Sequence, residues 1–341
     1  MCVTVSRNSV LVHTSTDRSG ATLFAYVTRR VLISVPLLVI AMYLVHVGVS
    51  ATVDPRSDFY LCLPRCQEGF DSITETYALD TNIFLRPFTY FASLFSGDGL
   101  GFSSSVGEPV GEVMRTRGWN TAMVAIPAFL LGAILSLLLS VYSARRQYSF
   151  GDYFFTSLSF IGFAMPSFVL ALIIQVIFGV KLEEWFGIKP FNTGRKTGEN
   201  FWELLRDITL PAVSLAILGI AADSRFGRSS MLETLNQDYI RTARAKGLTE
   251  RTVVWKHALR NGLIPLVTLW ALGFSALLSG SVVTESIFSW PGIGQTFLRA
   301  LGDSDLDLLM AIVMFTGVLT VVFNLIADVL YGVLDPRIRL G

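Results

Sequence analysis

Six long stretches without a charged residue divide this chain of 341 residues and set the strongest limit on its fold. A helix of about 20 apolar residues crosses a hydrocarbon core of roughly 30 Å, and every stretch but the fourth is long enough by itself. We therefore expect the fourth helix to continue through Asp223 and Arg225. The stretches run from Val31 to Val53, Thr121 to Ala144, Tyr153 to Val180, Ile208 to Ala222, Gly262 to Thr284 and Leu308 to Ala327.

Composition supports the same fold class, since 52% of the residues are hydrophobic, 16% are charged, and the mean hydropathy is +0.56. These values lie outside the range of an ordinary soluble domain. We predict an all-α integral membrane protein with six transmembrane helices. The basic pair Arg29–Arg30 precedes the first stretch, which places residues 1–25 in the cytoplasm by the positive-inside rule. With six spans the last residues are cytoplasmic as well, and residues 51–118 form a large extracytoplasmic loop.

Two cysteines, Cys62 and Cys66, lie in this loop with Pro64 between them. An oxidising compartment would permit a disulfide across such a short separation. Two free or merely packed thiols explain the pair equally well. Because no histidine lies nearby, we expect no metal site there.

The polar segment, residues 225–262, separates the fourth and fifth stretches and is too charged for lipid, where each charge near the centre costs roughly 2.5 to 3.5 kcal/mol. We expect a helix from Gln237 to Lys246 that ends at Gly247, and a second short helix capped by Thr249. The small side chains of Ala243 and Ala245 would let another protein approach closely. A basic loop lying on anionic lipid headgroups is the alternative; it explains the charge but not the spacing of alanine and glycine.

The sequence DYIRTARAKGL, Asp238 to Leu248, with HALRN after it, resembles the coupling segment of ABC importer permeases of the oligopeptide and dipeptide branch. The general family pattern has a Glu-Ala-Ala triplet where this chain has Arg241-Thr242-Ala243, and its glycine corresponds to Gly247. Three more elements resemble this branch, and together they extend the likeness over residues 26–341. They are GDGLGFS with an extra Gly99, GSVVTESIFSWPGIG from Gly280 to Gly294, and NLIADVLYGVLDPRIR from Asn324 to Arg339.

The resemblance implies a type I ABC importer transmembrane domain over residues 26–341, in a bacterial plasma membrane. It implies a transport subunit rather than an enzyme, which forms half of a pathway for oligopeptides or dipeptides, or for nickel, glutathione or another solute of the branch. Its implied partners are a second permease, two ATP-binding subunits or one fused ATPase, an extracytoplasmic substrate-binding protein and membrane lipid, with no nucleic acid. ATP and Mg²⁺ would be bound by the partners, and this chain would hold no cofactor or metal. The coupling residues implied are Asp238, Tyr239, Arg241, Ala243, Arg244, Lys246, Gly247 and Leu248.

Three further groups are candidates. Glu285, with Phe288, Pro291 and Gly292, would contact the binding protein or a passing peptide, or else Glu285 caps local backbone. Asn324 and Asp328 share one helix face, where a functional role and simple packing between helices are equally good explanations. The third group ends the last helix in the cytoplasm and comprises Asp335, Pro336 and Arg337.

Other classes of function find little support. The chain has no Gly-x4-Gly-Lys-Ser/Thr loop for a bound nucleotide. An intramembrane serine protease would need Ser275 or Ser279 beside His46. An ion-channel subunit would not explain the large basic segment.

Overall fold

The computed structural model describes residues 18–57, 60–62, 64–95, 99–193 and 200–334, and almost all of the regular structure within these ranges is helical. The helices before residue 190 are α1 (Arg18–Thr52), α2 (Gln67–Thr76), α3 (Arg86–Phe95), α4 (Val110–Arg145), α5 (Phe150–Ala164), α6 (Ser167–Ile174) and α7 (Leu182–Phe186). Those after it are α8 (Phe201–Leu235), α9 (Asp238–Ala245), α10 (Glu250–Thr252), α11 (Leu259–Gly262), α12 (Ile264–Leu278), α13 (Val282–Ile287), α14 (Ile293–Gly302) and α15 (Leu306–Leu334). Two π-helical segments, Gln175–Lys181 and Val253–Ala258, complete the helical path.

The centre of the bundle is the pair α4 and α8, the two helices that pack most extensively against each other. Small residues allow this approach: a Cβ atom on Gly132 would lie 3.5 Å from the carbonyl oxygen of Ala216, and a Cβ atom on Gly227 would collide with Ser140. The hydroxyl of Ser140 donates to the carbonyl oxygen of Ser224 at 3.0 Å. The two helices therefore form one tightly packed body.

Helix α8 continues well beyond the apolar stretch, as expected from its shortness, and carries Asp223 and Arg225 within it. Asp223 accepts a hydrogen bond of 3.0 Å from Nε1 of Trp270 on α12. The carboxylate thus faces protein rather than lipid.

The third apolar stretch does not form one straight helix, which corrects the single span expected from Tyr153 to Val180. Helices α5 and α6–α7 meet at Met165–Pro166 with an angle of 109°. Pro166 has no N–H to continue the ladder of α5, and Met165 before it adopts an extended conformation with φ −79° and ψ 130°. The proline therefore divides the stretch into two helices.

The fifth apolar stretch, expected from Gly262 to Thr284, is also interrupted. Helix α12 has Pro265 in its first turn and ends at Leu278, so that Thr284 belongs to the separate helix α13. The helical path from Glu250 to Gly262 meets α12 at 55°. Among the described residues, four helices are long and apolar enough to cross a membrane, and six crossings result only if each bent pair crosses once.

The first and last long helices, α1 and α15, lie side by side. Nε of Arg30 is 2.6 Å from Oδ2 of Asp328, so an ion pair joins them near the start of α1 and the end of α15. Much of the remaining surface of α1 is apolar and exposed; the side chain of Leu32 is 67% exposed. Such a surface fits lipid contact.

Between α1 and α4 the chain forms a region that we call the cap, residues 53–109 as far as they are described. The cap contains α2, α3 and a two-stranded antiparallel sheet of β1 (Phe102–Ser103) and β2 (Glu108–Pro109), which the all-α prediction did not include. A disulfide joins Cys62 to Cys66 just before α2. Asp305, at the start of α15, accepts hydrogen bonds from the hydroxyls of Ser103 and Ser105 at 2.6 and 2.8 Å and so holds the sheet against the bundle.

Candidate functional site

The polar segment begins within α8, and after Leu235 it forms two short helical parts with a turn between them, at the end of the bundle where α4 and α8 finish. Helix α9 covers Asp238–Ala245, close to the expected Gln237 to Lys246. Thr249 caps α10 by accepting a hydrogen bond from the backbone N–H of Thr252, as expected. The second helical path then passes through the π-helical segment Val253–Ala258, which the sequence did not predict.

One face of α9 is buried against the core of the helical bundle. Ile240 is fully buried and Ala243 is 7% exposed, and both pack with residues of α4, α8 and the π-helical segment. This corrects the expectation that Ala243 lies open to another protein. The other buried residues of this cluster are Val141, Ala144, Met231, Val253, Val254, Ala258 and Leu259.

The opposite face of α9 and the turn after it are exposed. Tyr239, 40% exposed, accepts a hydrogen bond of 2.8 Å from Nδ2 of Asn261, which fixes the ring on the surface. Ala245 lies on this side as well, so one of the two predicted small residues is open to an approaching protein. The other exposed residues of the predicted coupling set are Asp238, Arg241, Arg244, Lys246, Gly247 and Leu248.

Gly247 ends α9 in the left-handed conformation with φ +77°. Its N–H donates to the carbonyl oxygen of Arg244 at 2.9 Å, and the N–H of Leu248 donates to that of Ala243 at 3.4 Å. This pair of bonds is a Schellman motif, in which glycine avoids the steric cost of positive φ. Nothing lies within 4 Å of a Cβ atom built on Gly247, so the chain itself leaves this position open.

An ion pair closes the turn between the two helices. The guanidinium of Arg244 donates two hydrogen bonds to the carboxylate of Glu250, at 3.1 and 2.9 Å. These hydrogen bonds raise the pKa of the Arg244 guanidinium above its ordinary value. The pair braces the turn, while the other basic side chains of α9 and its end, Arg241 and Lys246, remain exposed.

A second predicted group surrounds the turn Phe288–Gly292, which joins α13 to α14 and which we call the Trp290 turn. Glu285 is 3% exposed and accepts hydrogen bonds from the hydroxyl of Thr121 at 2.9 Å and from the N–H of Gln295 at 3.0 Å. Burial raises the pKa of this carboxyl, and the two bonds oppose that shift. The structure therefore places Glu285 where it satisfies local groups, and not on an accessible surface.

The other residues of this group are placed likewise. Phe288 is buried, and a Cβ atom on Gly292 would lie 2.5 Å from the carboxylate of Glu285. The carbonyl oxygen of Pro291 accepts a hydrogen bond from Asn120 Nδ2 at 2.9 Å, while Trp290 Nε1 donates to the carbonyl oxygen of Asn120 at 2.8 Å. None of these contacts presents Glu285, Phe288 or Gly292 to a partner in this conformation.

Sequence reasoning missed several of the residues that organise these sites. Asn120 and Thr121 stand at the edge of the second apolar stretch, where polar residues are easily taken for a mere span boundary. Asp305 and the pair Asp152–Arg228 were also missed. The signal for Asp152 is a carboxylate three residues after a serine helix cap, Ser149.

At the end of α15, Asp328 pairs with Arg30, which gives it a structural contact between helices, and Asn324 is half-buried. Residues 335–337, predicted to end the last helix, lie outside the described residues. In the described part of the chain no three His, Cys, Asp or Glu side chains are arranged to hold a metal ion.

The residues of the serine protease alternative are not brought together. Ser279 donates to the carbonyl oxygen of Ser275 at 2.9 Å, and Ser275 lies 3.5 Å from the hydroxyl of Thr320. His46 is instead paired with Ser50 and packs on the ring of Tyr90. The geometry offers no nucleophile and base pair at these residues.

Comparison with known proteins agrees with the fold. The nearly complete chain of a solved structure, "Inward facing conformations of the MetNI methionine ABC transporter", superposes on this chain with a TM-score of 0.53 at 15% identity, covering 99% of that chain and 67% of this one. At this identity the likeness concerns the fold alone.

Sequence relatives are more similar. The chain is 37% identical over 321 residues to the oligopeptide transport system permease protein AppB of Bacillus subtilis (strain 168), covering 92% of this chain and 99% of that protein. It is 32% identical over 327 residues to the oligopeptide transport system permease protein OppB of Mycobacterium tuberculosis (strain ATCC 25618 / H37Rv), with coverage of 93% and 99%. To the dipeptide transport system permease protein DppB of Lactococcus lactis subsp. cremoris (strain MG1363) it is 36% identical over 274 residues, with coverage of 80% and 86%.

Residues 136–340, more than half of the chain, match the family model described as the binding-protein-dependent transport system inner membrane component. The match spans α8, the polar segment and α15, and the relatives extend it over nearly the whole chain. The chain belongs to this family of inner membrane permease components.

Proposed function

We propose that this permease subunit imports oligopeptides or dipeptides and is driven by ATP hydrolysis in partner subunits. In this proposal it forms half of the pathway with a second, related permease, receives its substrate from an extracytoplasmic binding protein, and holds no cofactor itself. ATP and Mg²⁺ are bound by two ATPase subunits or one fused ATPase. The substrate class is proposed from the relatives, which are named oligopeptide and dipeptide transport permeases.

The observation that supports coupling is the two-sided construction of α9. Its inner face, Ile240 and Ala243, is buried against α4 and α8, while Tyr239, Arg241 and Leu248 are exposed on the other side. An exposed helix with a rigid attachment can transmit a partner's movement, because displacement of the helix must displace whatever it packs against. The polar segment would then face the cytoplasm, and the cap would face the binding protein.

Coupling also needs differential contact, since a partner shifts a conformational equilibrium only if it binds the two states differently. The exposed side chains of Arg241 on α9 and of Lys246 just after it could pair with acidic groups of an ATPase groove in one nucleotide state and separate in the other. The turn at Gly247 would lie within the interface between this chain and the ATPase subunit.

The test is reconstitution of the whole complex in lipid vesicles with its binding protein. We expect the ATPase subunits to co-purify with this chain and ATP hydrolysis to rise with peptides of two or more residues. Stimulation by nickel or glutathione but not by peptides would overturn the peptide assignment and leave the importer intact. If no ATPase subunit binds, even when all subunits are co-expressed, the coupling role is wrong.

A further inference from the structure

A large open cleft lies between α5, α8 and α12, and we call it the Arg225 cleft. Its volume is about 820 Å³, within the range of roughly 300 to 1,000 Å³ that is typical of ligand sites. Its lining includes Phe160, Phe163, Asp223, Arg225, Ser229 and Glu233.

The arginine is held in an unusual way. The guanidinium carbon of Arg225 lies 4.1 Å from the ring centroid of Phe160 and 4.9 Å from that of Phe163. Cation–π contact of this kind uses the flat face of the guanidinium and leaves the N–H groups at its edge free to donate. The two phenyl rings therefore hold the guanidinium of Arg225 in place without occupying its N–H donors.

One turn further along the same helix, Arg228 shows what a structural arginine looks like in this chain. Arg228 also lines this cleft, but its guanidinium is already used, because it donates two hydrogen bonds to Asp152 on α5, at 2.8 and 2.7 Å. Among the described residues, by contrast, no ion pair includes Arg225. Arg225 stands at the start of the polar segment, just beyond the apolar stretch that ends at Ala222, where a guanidinium without an ion pair is stabilised by an anion or by water.

The mixed charge of the cleft points to the kind of anion. Asp223 and Glu233 line the same cleft as Arg225, and a wall with both signs would repel the phosphate of an anionic lipid as well as attract it. A lipid-facing wall would also be more uniformly apolar. A zwitterion fits better, because its anionic end can meet Arg225 while its cationic end meets a carboxylate.

The spacing along α8 sets the length. Glu233 is eight residues beyond Arg225, or about 12 Å along the helix axis at roughly 1.5 Å per residue. An extended peptide advances roughly 3.3 to 3.6 Å per residue, so about 12 Å separates the two ends of a peptide of three or four residues. The exposed hydroxyl of Ser229 lies between the two charges and can meet the peptide backbone.

We propose that the Arg225 cleft binds peptides in transit, with the peptide's terminal carboxylate on the guanidinium of Arg225 and its amino terminus toward Glu233. This rests on the proposed peptide transport. It adds a specificity-determining residue within the permease itself, separate from selection by the binding protein.

The test compares tripeptides with a free carboxylate and the same tripeptides with a terminal amide, taken up by vesicles that contain the whole complex. Uptake is normalised to the affinity of the isolated binding protein for each peptide, so that only the permease step remains. For the unaltered complex we expect the free carboxylate to be favoured several-fold. In Arg225→Gln that preference should fall at least threefold, whereas Arg225→Lys should keep part of it, because a lysine retains charge but not the fork.

Arg115→Gln is the matched control, since Arg115 is an exposed arginine of α4 that pairs with Glu112 away from the cleft. It should leave the preference unchanged. An Arg225→Gln complex with an unaltered preference overturns the proposal. So does a loss that is equal for both peptides and changes with the anionic lipid content, which would assign the guanidinium to lipid. If the unaltered complex takes up no peptide at all, the proposed function fails too, which is a separate result.

Discussion

Arg228 holds Asp152 through two hydrogen bonds of 2.8 and 2.7 Å and thereby joins the C-terminal part of α8 to the first turn of α5. The Asp152 side chain is 3% exposed and that of Arg228 24% exposed, so the pair is largely removed from water. Removal of one partner from a fully buried pair costs roughly 3 to 5 kcal/mol, because the other charge remains unpaired.

For Asp152→Ala we accordingly expect a loss of about 2 to 3 kcal/mol in stability, reduced from the fully buried value by the partial exposure of Arg228. The measurement is the thermal unfolding midpoint of the purified complex. Glu112→Ala removes the exposed pair with Arg115 and should change stability by less than about 0.5 kcal/mol. A double variant, Asp152→Leu with Arg228→Leu, should recover much of the loss; equal destabilisation by the double and single variants would contradict this account.

Gly247→Val should uncouple ATP hydrolysis from transport. Valine at φ +77° is strained by roughly 1 to 2 kcal/mol, and its side chain would stand on the exposed surface next to Leu248. The readout is the amount of peptide taken up per ATP hydrolysed.

Gly187 provides a control for the strain alone. It ends α7 with φ +65° and likewise has nothing within 4 Å of a built Cβ atom, but it is far from the polar segment in the sequence. Gly187→Val should therefore leave the ratio of uptake to hydrolysis normal. Normal coupling in Gly247→Val would show that this surface does not transmit the ATPase movement.

Glu285→Ala should destabilise the Trp290 turn. The change leaves the hydroxyl of Thr121 and the N–H of Gln295 without their acceptor, at a cost of about 1 to 3 kcal/mol for each buried group left unsatisfied. Glu285→Gln keeps one acceptor oxygen and should lose less. Thermal unfolding and affinity for the binding protein are measured on the same variants. If Glu285→Gln bound the binding protein more weakly at unchanged stability, Glu285 would contact that protein despite its burial in this structure.

Under oxidising conditions, Cys62 and Cys66 should resist a thiol-labelling reagent and become reactive only after reduction. Closure of so short a loop stabilises the cap by roughly 2 kcal/mol in the chain-entropy model. Cys62→Ser should therefore expose one new thiol without reduction and loosen the cap. Equal labelling of both cysteines before and after reduction would contradict the disulfide.

The sequence predicts the four long apolar helices α1, α4, α8 and α15 because hydrophobic length depends on composition alone, but it does not predict the breaks in the third and fifth apolar stretches. The sequence also locates α9, its end at Gly247 and the N-terminal capping residue of α10, Thr249, because the ends of helices have local sequence signals. Pro166 was visible in the sequence, but the 109° change of direction depends on what α6 packs against and cannot be obtained from the residue alone.

The residues that the sequence did not reveal share one property: their partners are distant in the chain. Thr121 and Glu285 are 164 residues apart, and Ser103 and Asp305 are 202 apart. A polar residue near a span end looks like a boundary until its partner is placed. Ala243 shows the reverse error, because a small residue suits both an open docking face and a tightly packed one, and the structure places it in the second.

The burial of Ile240 and Ala243 against α4 and α8 has a mechanical consequence. This face of α9 shares a core cluster with residues of α4 and α8, two long helices that are themselves packed through glycine and serine contacts. A force on α9 would therefore rotate α4 and α8 together as one body, and the packing within this single chain would set the direction of that rotation.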